Sequence, residues 1–347
     1  MSSSSNRLAN GCLWLILMLL IALVVSGCLL AFGVESGIIY FAAVVFCSWL
    51  VRNMLRPKEE AKIISRNKSR LLFVLILIGG AFLFVNQAGR YTTQYHPEFT
   101  DEDIVTTERV EENDTLVEVL SSARSWSDNN GLSYTGSLRV KKSDFERLSE
   151  LSSQFRSSTY GSAFWGELYE FLADRSDSSL ELLYETFALI QRDHGLNQME
   201  FAQMVTSCIQ DIPYSLVFEQ ACLTADEYDD PTISDVLRSC PDCCIGHKTY
   251  GIQGPTEFIA TLKGDCDTRT VLLYSVLKHF DYDVAILNSD FYRHSILGLN
   301  IPASGSYKVH RGKRYYVWET TSKYFRIGQI ASTMDDLSHW EIVLKSK

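Results

Sequence analysis

Charged residues are missing from the first part of the chain, and this absence decides its class. None occurs between Leu8 and Val34, and residues 11–32 are numerous enough for a helix to cross the apolar core of a bilayer. Two further runs, residues 37–51 and 71–89, also lack charge. The second run is short for a span and is expected to tilt or to thin the bilayer. The pattern predicts a membrane anchor of three transmembrane helices in residues 1–89.

The loop between the second and third runs indicates the orientation. Residues 52–70 contain seven lysines and arginines, which predicts a cytoplasmic loop and an extracytoplasmic C-terminal part. A competing interpretation is a lipoprotein signal, because "LVVSGC" ends at Cys28 with small residues before the cysteine. Hydrophobicity continues past Cys28, which favours an uncut membrane hairpin. Both interpretations place Cys28 on the outer side.

Basic residues are scarce in the rest of the chain. Residues 1–89 hold eight basic and three acidic residues, a net charge of +5, which leaves −15 for the remainder of a chain whose total is −10. This acidity argues against nucleic acid as a partner and against docking on anionic lipid headgroups. Solubility is a sufficient explanation for the charge.

The organisation beyond the anchor predicts an α+β fold. Residues 90–140 combine an acidic tether at 94–114 with two short strands around the turn "WSDNNGL". Residues 141–347 carry helical patterns first and strand patterns later, and no internal repeat was found. The helical patterns cover residues 143–155, 163–175, 179–194 and 198–212. The strand patterns are "DVAILNS", "RHSILGLN", "RYYVWETT" and "EIVLK".

One cysteine stands where a turn becomes a helix, in "GDCDTRTVLLYSVLKHF". Asp265 can cap this helix, so Cys266 falls in the first turn, where free backbone N–H groups and the helix dipole stabilise a thiolate. The carboxylates of Asp265 and Asp267 oppose this effect, because nearby negative charge raises a thiol pKa. Cys266 therefore needs a cationic partner.

A histidine and a glutamate are placed to complete such a site. His294 opens the strand "HSILGLN" and could face the start of the helix. Glu319, in "YYVWETT", shares a predicted strand face with Tyr315 and Val317, which carries a carboxylate among apolar neighbours. That position is costly unless the carboxylate meets a cation or a donor, and His294 would supply one.

These segments together resemble the transglutaminase-like family of cysteine enzymes. The resemblance rests on "PTEFIATLKGDCDTRTVLLYSVL", "RHSILGLN" and "YYVWETT", with "FAQMVTSCIQDIPYSL" upstream, and covers roughly residues 197–329. It implies a papain-like fold of a helical part, a nucleophile helix and an antiparallel sheet. It also implies Cys266 as nucleophile, His294 as general base and Glu319 as the residue that orients the imidazole. Glu319 stands where many relatives have aspartate, and Asp290 is a weaker substitute for it.

The resemblance implies acyl transfer on a protein or peptide substrate, without a cofactor. Hydrolysis of peptide or carboxamide bonds is the default for a relative of bacterial type, anchored in the cell membrane. The alternatives are a cross-linking transglutaminase and a non-catalytic binding or assembly module that keeps the triad for structure. Calcium, which parts of the family require, has no clear ligand set in this chain. For the oxyanion, the Cys266 N–H is expected to act with a side-chain donor such as Gln210 or Gln253.

A second group of cysteines allows two interpretations. In "CPDCCIGH", Cys240, Cys243 and His247 are weak zinc ligand candidates, with Cys222 or Cys244 as a fourth ligand. Disulfides compete with zinc if the domain lies in an oxidising compartment, with Cys222 joined to this cluster and Cys208 also a candidate. Disulfides are the favoured interpretation.

Overall fold

The elements run from strands to helices and back to strands along the chain. The computed structural model describes Phe99, residues 103–112 and residues 114–347, all within one unit that covers residues 94–347. Its strands are β1 (Thr106–Glu112), β2 (Thr115–Ser127), β3 (Ser133–Lys141), β4 (Leu216–Val217), β5 (Cys244–Ile245), β6 (Val284–Ser289), β7 (His294–Leu299), β8 (Tyr307–His310), β9 (Lys313–Trp318) and β10 (Glu341–Lys345). Its helices are α1 (Lys142–Leu148), α2 (Ser162–Ser176), α3 (Glu181–His194), α4 (Gln198–Asp211), α5 (Pro231–Ser239), α6 (Pro255–Thr261) and α7 (Cys266–His279). The α+β class is confirmed.

The first sheet is an antiparallel meander of β1, β2 and β3. On β3 the side chains of Tyr134, Leu138 and Val140 alternate with more exposed ones and pack into the main core, with α3 against the strand. The strand β1 lies within the segment predicted to be a tether, so that prediction is wrong for residues 106–112. The strand β1 is held by backbone pairing with β2, so its side chains need not be buried. They are mostly exposed and include three glutamates, as is common in an edge strand.

The second sheet is antiparallel, with the strand order β10-β6-β7-β9-β8. Every residue of β6 is buried, because both faces of the sheet are covered. Ile286 packs into the core shared with the helices, whereas Leu287 packs with Trp340 on the opposite face. The apolar run of β6 therefore marks a central strand.

The helix α7 runs through the middle of this unit. It packs against α2, α4 and α6 and against the strands β6 and β7. Burial includes Cys266 and all residues from Thr268 to Leu277, so every side of this helix is covered there. The first turn of α7 is therefore held from several sides, which fixes the position of Cys266.

One finding corrects two predictions from the sequence. These are the N-terminal transmembrane helices and the assignment as an integral membrane protein with an extracytoplasmic domain. In the part of the chain that the structure describes, no helix has the length and apolar character needed to cross a membrane. The longest of these, α2, has 15 residues, about 22 Å against a bilayer core of about 30 Å. The predicted spans at 11–32, 37–51 and 71–89, the loop between them and Cys28 lie outside the described residues.

Candidate active site

Cys266 is the first residue of α7, and the turn before it has little freedom. Asp265 is the N-cap, and its Oδ1 accepts a hydrogen bond from the N–H of Thr268 at 3.1 Å. A Cβ at position 264 would lie 2.9 Å from Cγ2 of Thr268 and 3.0 Å from the Phe258 ring, so a larger residue there would have to displace these buried side chains. Gly264 and Asp265 thus place the sulfur of Cys266 at the start of a helix, as the sequence predicts.

His294 lies beside Cys266. It is the first residue of β7, a strand that packs against α7, and its side chain is 12% exposed. The imidazole and the thiol are close enough for each to act on the pKa of the other. The edge of the ring meets Trp340, with ring centroids 6.0 Å apart. Since Nε2 is directed at a carboxylate on the other side, Nδ1 is the nitrogen left for the sulfur.

Glu319 supplies that carboxylate. Nε2 of His294 lies 3.2 Å from Oε1 and 3.0 Å from Oε2 of Glu319, whose residue exposure is 1%. Oε1 also accepts hydrogen bonds from the N–H groups of Thr320 and Thr321 and from Oγ1 of Thr321. The residue is not on the strand, as the sequence suggested, because β9 ends at Trp318. The backbone that turns after β9 provides the donors that hold the carboxylate.

The ionised forms of His294 and Glu319 stabilise each other. Burial acts to raise the pKa of Glu319, but His294 and then Thr321 outweigh it and bring this pKa to about 2. Burial acts to lower the pKa of His294, but the Glu319 carboxylate, followed by Cys266, raises it well above its ordinary value. The pair therefore keeps Glu319 ionised and stabilises the imidazolium that forms when His294 takes up the thiol proton.

Cys266 is held as a thiol in this arrangement. Burial, followed by the carboxylate of Asp267, raises the pKa of Cys266 to about 11, although His294 acts in the opposite direction. The sulfur-bearing residue is 7% exposed. The helix start alone does not ionise this thiol, so a proton must pass to His294 before Cys266 can act as a nucleophile.

Arg269 is a functional neighbour that the sequence analysis missed. Its guanidinium is fully buried and donates to the carbonyl oxygens of four residues, with no carboxylate among these acceptors. These acceptors are Ile209, Ile212, Pro213 and Gly264. Arg269 thus fastens the turn before Cys266 to the end of α4, and its charge also acts on Cys266. A single arginine in the otherwise uncharged run from Thr268 to Ser275 was the signal available in the sequence.

The proposed side-chain donors for an oxyanion are occupied elsewhere. Nε2 of Gln210 donates to the carbonyl oxygens of Glu319 and Phe325, at 2.6 Å and 3.1 Å. Nε2 of Gln253 donates to the carbonyl oxygen of Lys263. Both glutamines brace the backbone of the site. Asp290 is exposed, and the carboxylate on His294 belongs to Glu319.

The second cysteine group forms disulfides. Cys222 is bonded to Cys244, and Cys240 is bonded to Cys243, while Cys208 is a free, buried thiol. The zinc interpretation is therefore wrong, because the sulfur ligands are consumed and His247 is exposed beside them. Within the described ranges, no group of three or more His, Cys, Asp and Glu residues is placed to hold a metal ion.

Comparison of the chain with family models, with curated proteins and with solved structures found no match. The geometry of Cys266, His294 and Glu319 and of the residues around them is therefore the basis on which a function can be inferred.

Proposed function

We propose that this chain is a cysteine acyl-transfer enzyme that acts on peptide or carboxamide bonds of protein substrates. The observation that carries the proposal is the arrangement of Cys266 beside His294, whose Nε2 lies within hydrogen-bond distance of both carboxylate oxygens of Glu319. A nucleophile, a base and a group that orients the base are the three parts that this chemistry requires.

The first half of the reaction transfers the acyl group to the protein. The thiol proton of Cys266 passes to His294, and the sulfur forms a bond to the substrate carbonyl carbon. The negative charge moves onto the carbonyl oxygen, which the N–H of Cys266 can stabilise, since the first N–H groups of a helix lack intrahelical acceptors. The carbon–nitrogen bond then breaks as His294 donates its proton to the leaving amine. A thioester on Cys266 remains.

The second half releases the acyl group. His294 takes a proton from water, the water oxygen attacks the thioester, and the carbon–sulfur bond breaks as the proton returns to the sulfur. Glu319 stays ionised throughout and stabilises the imidazolium form of His294. Hydrolysis is the proposed outcome, and attack by an amine in place of water would give cross-linking.

Membership in the transglutaminase-like family is part of this proposal. It is supported by the motif order, in which a Gly-x-Cys at a helix start precedes a histidine that opens a strand and then a carboxylate. The use of glutamate as the third member is compatible with that order, because both Glu319 oxygens lie within reach of His294.

The test uses thiol labelling and an acyl acceptor. We expect a peptide-based electrophile to label Cys266 faster than Cys208, whose pKa burial raises to about 12. His294→Ala should slow the labelling strongly, whereas His247→Ala, at an exposed position, should leave it unchanged. Product analysis with and without a fluorescent primary amine separates hydrolysis from cross-linking.

The enzyme proposal fails if Cys266 reacts no faster than Cys208 in the folded protein and if His294→Ala changes nothing. That result would favour the binding-module alternative, in which the three residues serve structure. Labelling sites are read by peptide mass spectrometry, so each cysteine is followed separately.

A further inference from the structure

A carboxylate is fixed beside the candidate nucleophile by residues from two other elements. Asp267 directly follows Cys266 in the first turn of α7. The hydroxyl of Tyr169, on α2, donates to Oδ1 of Asp267 at 2.7 Å. The side-chain amide of Asn288, on β6, donates in turn to the Tyr169 oxygen at 2.9 Å. Because Tyr169 is fully buried, Asp267 cannot turn away without breaking this series of contacts.

This arrangement works against the chemistry of a nucleophilic thiol. A negative charge next to sulfur disfavours the thiolate, and Asp267 forms no ion pair with a lysine or arginine of the described chain that would cancel its charge. The hydrogen bond from Tyr169 holds this carboxylate in place. Three elements of the fold thus maintain an unfavourable charge at the reactive position, which is a sign of function.

Other charged and titratable groups also face Cys266. They are Tyr169 from α2, Tyr214 after α4, Asp265, Asp267 and Arg269 from the start of α7, and His294 from β7. Arg269 and the protonated form of His294 favour the thiolate, and the carboxylates oppose it. Among the carboxylates, Asp267 has the larger effect on the sulfur.

We propose that Asp267, held by Tyr169, is a positioning residue that keeps Cys266 in its thiol form until His294 accepts the proton. This inference rests on the proposed function, in which Cys266 is the nucleophile. Burial and Asp267 raise the pKa of Cys266 to about 11 in the same direction, which supports it. A protected thiol reacts slowly with oxidants and adventitious electrophiles, since the thiolate is the reactive species. Asp267 thus limits the reactivity of Cys266 to the catalytic reaction itself.

The experiment measures the rate of alkylation of Cys266 by iodoacetamide between neutral pH and about pH 11 in the full chain. Asp267→Asn keeps an oxygen that can accept from Tyr169 but removes the charge. We expect the midpoint of the rate profile to fall by about one pH unit, which makes the variant about tenfold more reactive at neutral pH. If Asp267 had only a structural role, its substitution would not increase the alkylation rate of Cys266 at pH values below the midpoint. A higher rate in Asp267→Asn therefore distinguishes the proposed role from a structural one.

Three further variants sharpen the result. Asp267→Glu retains the charge and should keep a midpoint close to that of the wild type. Tyr169→Phe releases Asp267 towards water and should lower the midpoint by less than Asp267→Asn. Asp174→Asn is the matched control, because Asp174 lies on α2 and pairs with Lys278 at the far end of α7. This control should leave the profile unchanged.

Two outcomes overturn the inference, and they have different meanings. If wild-type Cys266 is alkylated but Asp267→Asn shows the same midpoint or a higher one, the inference fails and the proposed function stands. If wild-type Cys266 resists alkylation up to about pH 11 and reacts only after unfolding, the proposed function fails with it.

Discussion

Nε2 of His294 lies within hydrogen-bond distance of both carboxylate oxygens of Glu319, at 3.2 Å and 3.0 Å. This contact fixes which nitrogen of the ring carries a proton and directs the other nitrogen to Cys266. It also pairs two oppositely charged groups in a buried position. Removal of one partner therefore leaves the other as a buried charge without a counter-charge. The contact therefore has consequences for pKa and for stability that can be measured separately.

Glu319→Gln should change the dependence of stability on pH. The pKa of Glu319 is about 2 in the folded protein against an ordinary value of 4.5, so its contribution is present above about pH 4.5 and lost as pH falls towards about 2. The variant lacks this titration. Urea unfolding at several pH values should show that the wild type loses its advantage over the variant in that range. Equal slopes for both proteins would contradict the assignment.

The same substitution should lower the pKa of His294. Burial then acts on the imidazole with only Cys266 left to oppose it, so the pKa of His294 is expected to fall. Titration of the imidazole protons by NMR gives the value directly. His339→Phe, which removes an imidazole that lies outside the triad, helps to assign the signals.

Asp265→Asn should stabilise the protein more at pH 8 than at pH 4. Burial, followed by Asp267, raises the pKa of Asp265 to about 7 from 3.8, so the folded state binds this proton more tightly than the unfolded state. Stability from this group therefore falls as pH rises from about 3.8 to about 7. Asparagine caps a helix as well as aspartate and does not titrate. Denaturant unfolding at both pH values, with Asp230→Asn at the cap of α5 as control, measures the difference.

Arg269→Lys should destabilise the fold although it keeps the charge. The guanidinium satisfies four carbonyl groups around the nucleophile turn, and a lysine has only three donors on a single nitrogen. Buried carbonyls left without partners cost about 1–3 kcal/mol each, so a loss of about 3 kcal/mol or more is expected. Arg192→Lys, at an exposed ion pair, should change the free energy of unfolding by less than about 0.5 kcal/mol.

Local signals explain why the start of α7 and the position of His294 could be predicted. Gly264, the capping residue Asp265 and the apolar run after Cys266 lie within a few residues of one another. The strand that begins at His294 is indicated by its own apolar run. Glu319 was placed near the histidine correctly, but its position after the end of β9 depends on backbone donors in the following turn.

Contacts between distant segments explain what the sequence did not provide. Arg269 is understood only through carbonyl groups of Ile209 and Ile212, which lie 60 and 57 residues away. The strand β8 is absent from the predicted strands, since its residues gain a sheet position only by pairing with β9. The role of Tyr169 depends on Asp267, 98 residues further along the chain.

Removal of the Cys222–Cys244 disulfide should reduce stability by a predictable amount. The two cysteines are separated by 22 residues, and closing a loop of this length in the unfolded chain is worth about 3 kcal/mol. The double substitution Cys222→Ser with Cys244→Ser should lower the free energy of unfolding accordingly. The matched pair Cys240→Ser with Cys243→Ser, separated by 3 residues, should lower it by about half as much. Iodoacetamide added to the unfolded, unreduced protein should modify Cys208 and Cys266 and spare these four cysteines. Modification of all six cysteines within residues 114–347 would show that these sulfurs are free and would return zinc to consideration.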